Sequence, residues 1–299
     1  MLSYQHGYHA GGPADVMKHL VLAALLAMLV RKPRAISYAE THAGRGLYDL
    51  DGAQARKTGE AAEGIARIAP RGAFGDLLGH IRARHGPSAY PGSPVIAQEM
   101  LRAQDRMLLF ELHPAEHAGL ATALAQKTAD APTARSAQDR DAANASRRDA
   151  GSTSAAMGPR PAHETRPAHE TCREDGYAGL LRRAPLRPRH GLVLVDPSYE
   201  VKTEYAETAV FLRRLIAAWP QAALLVWYPL LPAKRHLDLI AGLAGIQVLR
   251  REAAFDLKGG AGMTGSGLLI INAPHGAPRM IDAALADAAP VLRPVRLSG

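Results

Sequence analysis

The tetrad Asp196-Pro197-Ser198-Tyr199 contains the residue types that most directly suggest chemistry. It directly follows the apolar run Gly191 to Val195, which is typical of a strand buried on both faces of a sheet. A carboxylate and a proline carbonyl can each accept a hydrogen bond from an amino group on an aromatic ring. Such bonds localise a lone pair that the ring otherwise delocalises, so the amine becomes a better nucleophile. A neighbouring tyrosine can stack on that ring.

This tetrad resembles the DPPY-type motif of amino-methyltransferases that act on adenine N6 or cytosine N4. On that basis Asp196 positions the amine and finally receives its proton, while Pro197 fixes the direction of the backbone carbonyl. Tyr199 holds the target base. Alignment of the amine with a sulfonium methyl group supplies much of the acceleration. Ser198 stands where the motif has a second proline, and no other residue compensates for this change.

Two features upstream of the tetrad predict a nucleotide-like cofactor. The turn Thr41 to Gly46 follows a predicted strand over residues 35–40, and Gly44 within it lets the backbone approach a ligand closely. The third glycine of the dinucleotide fingerprint is missing. Glu111 ends the next predicted strand, and its carboxylate can accept hydrogen bonds from both hydroxyls of a ribose.

A third acid, Asp175, is followed by Gly176 at the point where the third strand of the sheet is expected to end. A carboxylate there could accept a hydrogen bond from the adenine amino group of a cofactor. This interpretation depends on the order of the elements along the chain.

Strands that alternate with helices predict a doubly wound, mostly parallel α/β sheet. The predicted strands 247–253 and 267–272 have no helix between them and should form an antiparallel edge. Residues 47–91 are predicted to be an inserted helical subdomain whose basic residues could contact RNA. Residues 127–171 have a low-complexity composition with a repeated RPAHET, which predicts a disordered insertion. All of this belongs to one domain, 1–299.

The composition limits the compartment and the partners. The formal charge of +8 over 299 residues favours a polyanion such as nucleic acid or an anionic membrane, although an arginine-rich proteome would give the same charge. A single cysteine, Cys172, excludes an intrachain disulfide and fits the cytoplasm. The apolar run Leu20 to Val30 is too short to cross a bilayer, so we expect no membrane anchor.

The amino-terminal segment combines aromatic and histidine side chains at high density: Tyr4, His6, Tyr8 and His9. We expect an ordered cap that stacks on RNA or donates hydrogen bonds to it. A zinc site built from these histidines would need a distant partner pair, which the sequence does not offer at convincing spacing, so we expect no metal.

Several sequence blocks occur together in a recognisable order between Met1 and Pro274. They are MLSYQHGYHAGGPADVMKH, THAGRG, KTGEAAEGIARI, YPGSPVIA, ELHP, EDG, LVLVDPSYE, WYP and GMTGSGLLIIN. Together they resemble the RlmJ family. The resemblance implies a class I, Rossmann-like fold with a seven-stranded sheet that uses S-adenosylmethionine. It also implies methylation of N6 of one adenine in 23S ribosomal RNA by a monomer in the cytoplasm.

The resemblance also implies roles for individual residues. The tetrad residues Asp196, Pro197 and Tyr199 would be joined in catalysis by residues of the amino-terminal segment, namely Tyr4, His6 and Lys18. Tyr4 and His6 would cover the active site and help to hold the target base. The cofactor pocket would be lined by His19, His42, Gly44, Ser93, Glu111, Asp175, Gly176 and Asp196.

Three other functions remain open from the sequence. A DNA adenine or protein-glutamine methyltransferase could use the same tetrad. A catalytically decayed RNA-binding module would explain Ser198, but the retained Glu111 and Asp196 oppose it, and loss of cofactor binding in calorimetry would favour it. A nicotinamide dehydrogenase is disfavoured by the incomplete glycine pattern and by the tetrad.

Overall fold

The protein is described by a computed structural model that covers residues 5–126, 166–257 and 262–295. Tyr4 and residues 127–165 of the predicted insertion lie outside these ranges. The described helices are α1 Pro13–Val30, α2 Ala53–Thr58, α3 Glu60–Glu63, α4 Gly72–His85, α5 Ser93–Met100, α6 Pro114–Ala125, α7 Gly176–Arg183, α8 Glu204–Ala218, α9 His236–Gly242 and α10 Ala277–Ala286. Short 3-10 helices occur at His6–Tyr8 and Ile65–Arg67.

The described strands form one large and one small sheet. They are β1 Ser37–Glu40, β2 Leu47–Asp49, β3 Ala89–Pro91, β4 Arg106–Phe110, β5 Ala168–Cys172, β6 Gly191–Val195, β7 Ala222–Leu230, β8 Val248–Ala254, β9 Gly265–Ile271 and β10 Arg293–Pro294. The large sheet has the order β10-β8-β9-β7-β6-β1-β4-β5. Neighbours from β7 to β5 are parallel, and β9, β8 and β10 add antiparallel pairs.

This topology confirms the predicted mostly parallel α/β fold and its antiparallel edge, but the predicted number of seven strands is wrong. The eighth strand, β10, consists of Arg293 and Pro294, which pair with Ala254 and Ala253 of β8. Two residues are too few to produce a period-two pattern, so sequence periodicity could not have revealed it.

Helices cover both faces of the sheet and bury its central strands. Every residue of β6 is buried, as its unbroken apolar sequence predicts. One core cluster lies between the sheet and α1, α4, α5 and α6, and the second lies between the sheet and α7, α8 and α9. This sandwich holds the carboxyl ends of β1, β4 and β6 in fixed positions at one edge.

Helix α1 is the central helix of the first cluster. Pro13 occupies its first turn, where a proline costs no intrahelical hydrogen bond. In the described part of the chain, only α1 has the length and hydropathy of a membrane-crossing helix, but 72% of that stretch is buried within the protein. Its amino-terminal turns carry Asp15, Lys18 and His19, all of them buried. A buried charge needs a partner, so this end of α1 is built around an ionic cluster.

Residues 47–91, which the sequence predicts to be an inserted subdomain, contain α2, α3, a 3-10 helix and α4 between the two short strands β2 and β3. Leu47 and Pro91 pair across the antiparallel ladder of β2 and β3. Each strand has three residues, too few for a strand signal in the sequence. The ladder brings the two ends of the subdomain together beside the sheet.

One predicted boundary needs correction. The insertion 127–171 was placed too far along the chain, because Ala168–Cys172 forms β5 and pairs in parallel with β4.

Pro229 lies within β7, opposite Ser266 of β9. The ladder between β6 and β7 ends at Val195 and Val226, so no neighbour on that side needs the missing N–H of a proline.

Candidate active site

The carboxyl ends of the parallel strands bring four of the predicted site residues to one edge of the sheet. His42 and Gly44 follow β1, Glu111 follows β4 and Asp196 follows β6. Because β1 pairs with both β4 and β6, these turns are neighbours in space. This is the edge at which open α/β sheets bind ligands.

A chain of alternating charges leads from the amino-terminal segment to the tetrad. Lys18 Nζ donates to Asp196 Oδ2 at 2.6 Å and lies 3.0 Å from Asp15 Oδ1. His6 Nε2 lies 2.9 Å from both carboxylate oxygens of Asp15. The structure therefore brings His6, Lys18 and Asp196 together, as expected, and adds Asp15 as the residue that links them.

The protonation states in this cluster are set by its charges. Burial alone would lower the pKa of Lys18, but the carboxylates of Asp15 and Asp196 outweigh it and raise that pKa further above its usual range. Burial would raise the pKa of Asp15, but His6 and Lys18 hold it well below its usual value. Lys18 is therefore an ammonium group throughout the physiological range, and Asp196 faces a fixed positive charge.

Glu111 is oriented by backbone donors. The amide of Gly44 donates to its Oε2 at 2.8 Å, and the amide of His113 donates to its Oε1 at 2.7 Å. Burial raises the pKa of Glu111, and the two backbone hydrogen bonds oppose that effect. A carboxylate offers about four acceptor positions, so both oxygens can still accept a ligand hydroxyl. Gly44 has φ of +64°, a left-handed conformation that favours glycine.

His42 lies between the turn after β1 and the start of α7. Its ring meets Tyr177 edge-on at 5.3 Å, and its Nδ1 lies 2.8 Å from Thr41 Oγ1. Burial lowers the pKa of His42 to about 4, so the imidazole is neutral at physiological pH. A neutral, half-buried ring beside Gly44 suits the wall of a cofactor pocket.

Asp175 and Gly176 have clear structural tasks at the start of α7. Asp175 is exposed and caps the helix, because its Oδ1 accepts a hydrogen bond from Ala178 N at 2.7 Å. Gly176 packs so closely that a Cβ there would lie 2.0 Å from the carbonyl oxygen of Thr41. Both residues place α7 against the turn after β1. Their contact with a cofactor stays a prediction.

Two predicted pocket residues are buried inside the protein. Ser93 is 5% exposed and donates to Glu40 Oε2 at 2.7 Å. His19 is 1% exposed, its Nδ1 lies 2.9 Å from the hydroxyl of Tyr90, and burial lowers its pKa to about 3. In this structure Ser93 contacts Glu40 and His19 contacts Tyr90, two buried residues beside the site. Their direct contact with a cofactor stays a prediction.

The aromatic residue of the tetrad is itself packed tightly. Tyr199 is 6% exposed, has φ of +54° and donates its hydroxyl to the Trp227 carbonyl at 3.0 Å. Its ring stacks on Tyr205 with centroids 4.4 Å apart. One face is therefore already occupied, and the stacking of Tyr199 on a target base stays a prediction. The ring of Trp227 lies 6.0 Å from Lys18 Nζ, so it also borders the cluster.

Sequence reasoning missed Asp15, Glu40 and Trp227. Asp15 precedes Lys18 by three residues on a helix, a spacing that pairs opposite charges on one face. Glu40 ends a buried strand just as Glu111 does, so the same signal was present. Trp227 lies inside a buried strand, and nothing in the sequence separated it from a core aromatic residue.

The donor set fits S-adenosylmethionine. Glu111 can accept from the ribose hydroxyls, the left-handed turn at Gly44 leaves room for close approach, and Asp196 lies at the same edge of the sheet. Among the described residues, no group of three or more His, Cys, Asp or Glu side chains could hold a metal ion. The fold and this site together define a Rossmann-like methyltransferase that depends on S-adenosylmethionine.

Comparison with known proteins gives the family. The family model RsmJ, described as "Ribosomal RNA large subunit methyltransferase D, RlmJ", matches residues 33–153 and 162–295. The chain belongs to this family. It is 32% identical over 285 residues to "Ribosomal RNA large subunit methyltransferase J" of Escherichia coli (strain K12), which covers 92% of this chain and 88% of the relative.

Two further comparisons agree with this assignment. The protein of the same name from Haemophilus influenzae is 31% identical over 286 residues, covering 92% of this chain and 88% of the relative. The crystal structure of protein LPL1258 from Legionella pneumophila superposes with a TM-score of 0.71 at 28% identity. That superposition covers 97% of this chain and 98% of the other, so the likeness extends over the whole fold.

Proposed function

We propose that this protein transfers a methyl group from S-adenosylmethionine to N6 of an adenine in large-subunit ribosomal RNA. The observation that carries the proposal is the contact of 2.6 Å between Lys18 and Asp196, at the carboxyl end of β6 and directly before Pro197. The names of the Escherichia coli and Haemophilus influenzae relatives support ribosomal RNA as the substrate. The likeness of the tetrad to the DPPY-type motif supports an exocyclic amine as the acceptor.

The geometry supports a direct transfer. The adenine amine donates hydrogen bonds to the Asp196 carboxylate and to the Pro197 carbonyl, which aim its lone pair at the methyl group. S-adenosylmethionine, when bound, supplies that methyl group on an electrophilic sulfonium. As the nitrogen–carbon bond forms, the carbon–sulfur bond would break and S-adenosylhomocysteine would leave as a neutral thioether, so the positive charge moves to the amine nitrogen and makes it acidic. Asp196 then accepts its proton.

Lys18 fixes the position of the Asp196 carboxylate. Its ammonium group donates to Asp196 Oδ2 at 2.6 Å, and Oδ1 can accept from the target amine. A carboxylate is a sufficient proton acceptor because the methylated nitrogen is strongly acidic. Asp196 therefore acts mainly by holding the amine in position, and much of the rate enhancement comes from alignment.

Positions around the cluster would hold the target base. An adenine must leave its stack to reach Asp196, and such bases are usually held between aromatic or apolar side chains. His6 lies edge-on to Tyr48 at 5.3 Å and closes one side of the cluster. We assign the holding of the base to Tyr4, His6 and Tyr199. We also place the reaction in the cytoplasm, without a membrane or a metal, and expect a monomer.

The test is methyl transfer from labelled S-adenosylmethionine to unmodified large-subunit ribosomal RNA, followed by mapping of the labelled nucleotide. We expect label on N6 of one adenine. Duplex DNA with the same sequence around that adenine tests the alternative of a DNA adenine methyltransferase. Label on DNA but not on RNA would refute the proposed substrate. A folded protein that binds the cofactor but labels neither would refute the activity.

A further inference from the structure

A basic surface lies at the amino ends of the parallel strands, opposite the candidate active site at their carboxyl ends. Three segments reach this edge, at the amino ends of β1, β4 and β6. Ser37 of β1 is in register with Arg106 of β4 and with Gly191 of β6, so the segments are neighbours in space. Their exposed cations form what we call the basic edge: Arg31, Lys32, Arg34, Arg106, Arg187 and Arg189.

The basic edge carries positive charge that no described carboxylate neutralises. None of its six cations forms an ion pair with a carboxylate in the described part of the chain. The one carboxylate within these segments, Asp105, is fully buried and is bound by Arg102 at 3.0 Å. Six such cations at the amino ends of three adjacent strands, which are about 4.8 Å apart, make a dense positive field.

The backbone of the first segment is held in place. Arg102 donates to the carbonyl oxygens of Val30 at 3.0 Å, Lys32 at 2.6 Å and Arg34 at 2.8 Å. Asp105 fixes Arg102 and also accepts from the amide of Ile36 at 2.8 Å. A buried ion pair therefore fixes the course of a loop whose own cations point to solvent. Such preorganisation lowers the entropy cost of binding.

The second segment is held in the same way. Ser37 Oγ donates to the carbonyl of Pro188 at 2.7 Å, and its amide donates to the carbonyl of His190 at 2.9 Å. The indole of Trp219 donates to the carbonyl of Arg189 at 2.5 Å. Arg187 and Arg189 therefore project from a fixed backbone beside the first loop.

The basic residues of segment 47–91 differ from those of the basic edge, because most of them are paired with carboxylates. Most of its basic residues, which the sequence suggested as an RNA platform, have acidic partners within 4 Å. These pairs are Arg56 with Asp51, Arg67 with Glu63, Arg71 with Asp287 and Arg84 with Glu99. A cation that already faces a carboxylate adds little to the attraction of a polyanion.

We propose that the basic edge binds the phosphate backbone of a second RNA segment, separate from the one that carries the target adenine. The five residues of β6 separate Gly191 from Asp196 by about 17 Å at 3.3 Å per residue, so the two surfaces lie at opposite ends of the strands. An RNA too short to extend from Asp196 to the basic edge contacts only the active site, whereas a folded rRNA domain can contact both surfaces. The choice of RNA as the polyanion rests on the proposed function.

The test compares two RNAs and two variants of the full-length protein. One variant carries Arg31→Gln, Arg34→Gln, Arg187→Gln and Arg189→Gln. The matched control removes the same charge from ion-paired surface residues: Arg56→Gln, Arg67→Gln, Arg251→Gln and Arg293→Gln. Dissociation constants are measured over a range of salt concentrations for two RNAs that contain the unmodified target adenine. One is a short stem-loop and the other is a long rRNA fragment.

For the basic-edge variant we expect at least tenfold weaker binding of the long fragment near physiological salt. The slope of log affinity against log salt should fall by about three to four, because each duplex phosphate contact contributes about 0.9. Binding and methylation of the short stem-loop should stay within twofold of wild type. The control should resemble wild type on both RNAs.

Three results would overturn the inference. They are unchanged binding of the long fragment, an equal loss on the short stem-loop, and an equal loss in the control variant. Anionic vesicles of phosphatidylglycerol give a further arm: binding that depends on the basic edge, with RNA binding unchanged, would assign the surface to a membrane. Failure of the proposed function would appear separately, as absent methylation of both RNAs by the wild-type protein.

Discussion

At the scale of single residues, the site is dominated by Lys18, which lies between the carboxylates of Asp15 and Asp196. The Lys18 side chain is 5% exposed, so these contacts are poorly screened by solvent. A carboxylate that must orient an amine benefits from such a partner, because its position is fixed. The same contacts connect His6 of the amino-terminal segment with Asp196 through Asp15 and Lys18.

Substitution Asp196→Asn should abolish most methyl transfer while leaving cofactor binding nearly normal. The amide places a donor group where the carboxylate accepts from Lys18 and from the target amine, and it cannot take a proton. We expect kcat to fall by about 10²- to 10⁴-fold. The measurements are the transfer rate with labelled cofactor and its dissociation constant by calorimetry.

An exposed carboxylate provides the control for this substitution. Asp256 pairs with Arg293 at the surface, and Asp256→Asn should behave as wild type. Wild-type rates in Asp196→Asn would remove Asp196 from the mechanism.

Substitution Glu111→Gln should act on the cofactor rather than on the chemical step. An amide presents only one acceptor oxygen, so it cannot satisfy the amides of Gly44 and His113 and also accept from a ribose diol. Hydrogen bonds to a charged group contribute about 1.5–3 kcal/mol, so the cofactor dissociation constant should rise at least tenfold. Its kcat at saturating cofactor should stay near wild type. The exposed Glu207→Gln is the matched control, and equal affinities in the two variants would contradict this role.

At the scale of elements, the sequence predicted best where an apolar strand ends in a polar residue. Asp196 and Glu111 were found because each follows a buried run, and the parallel order of the strands then placed them at one edge. Residues reached only through tertiary contacts were not found. Asp15 joins the site because α1 packs across the sheet, a geometry that no local pattern encodes.

The shortest strands and the burial of two predicted pocket residues could not be predicted from the sequence either. β10, β2 and β3 have two or three residues each, so packing decides them rather than propensity. The roles of Ser93 and His19 were assigned from family resemblance, whereas the structure buries both side chains. Burial depends on the packed fold, and sequence motifs do not report it.

Glu40, the last residue of β1, should make the free energy of unfolding depend on pH. Burial raises the pKa of Glu40 from 4.5 to about 8, against the hydrogen bonds from Tyr38 and Ser93. Between about pH 4.5 and 8 the folded protein keeps a proton that the unfolded chain has lost. This contribution to the free energy of unfolding is therefore complete below pH 4.5, falls by about 1.4 kcal/mol per pH unit and is gone above pH 8.

The neutral variant Glu40→Gln isolates this contribution. The free energy of unfolding of the variant minus that of wild type should increase steadily between pH 5 and pH 8. Urea unfolding of both proteins at unit pH steps measures it. A difference that stays constant over this range would show that Glu40 ionises normally.

At the scale of the whole molecule, charge is distributed unequally between the two edges of the sheet. The active-site edge contains cations that are mostly committed to carboxylates, such as Lys18 with Asp196 and Arg45 with Glu116. The opposite edge contains cations without such partners in the described chain. We expect such a distribution to retain a large RNA without trapping the target adenine.

The described residues that flank segment 127–165 lie close together. Arg166 donates to the carbonyl oxygens of Leu124 at 3.2 Å and Gln126 at 2.7 Å. Six residues can reach about 20 Å when extended, which is more than this gap requires. A glycine-serine linker of about six residues should therefore replace residues 128–164 without distorting α6 or β5.

We expect this replacement to preserve the fold and to stabilise it slightly. The composition of the segment predicts a disordered insertion, and each halving of such a loop lowers its closure cost by about 0.6 kcal/mol. On that prediction the shorter loop should add about 1.5 kcal/mol and raise Tm by a few degrees. Cofactor affinity and methylation of the short stem-loop should match wild type, because Lys18, Glu111 and Asp196 are held by other elements. Thermal unfolding, calorimetry and transfer rates measure these outcomes. Lost transfer with unchanged Tm and cofactor affinity would instead give the replaced segment a direct part in holding the RNA.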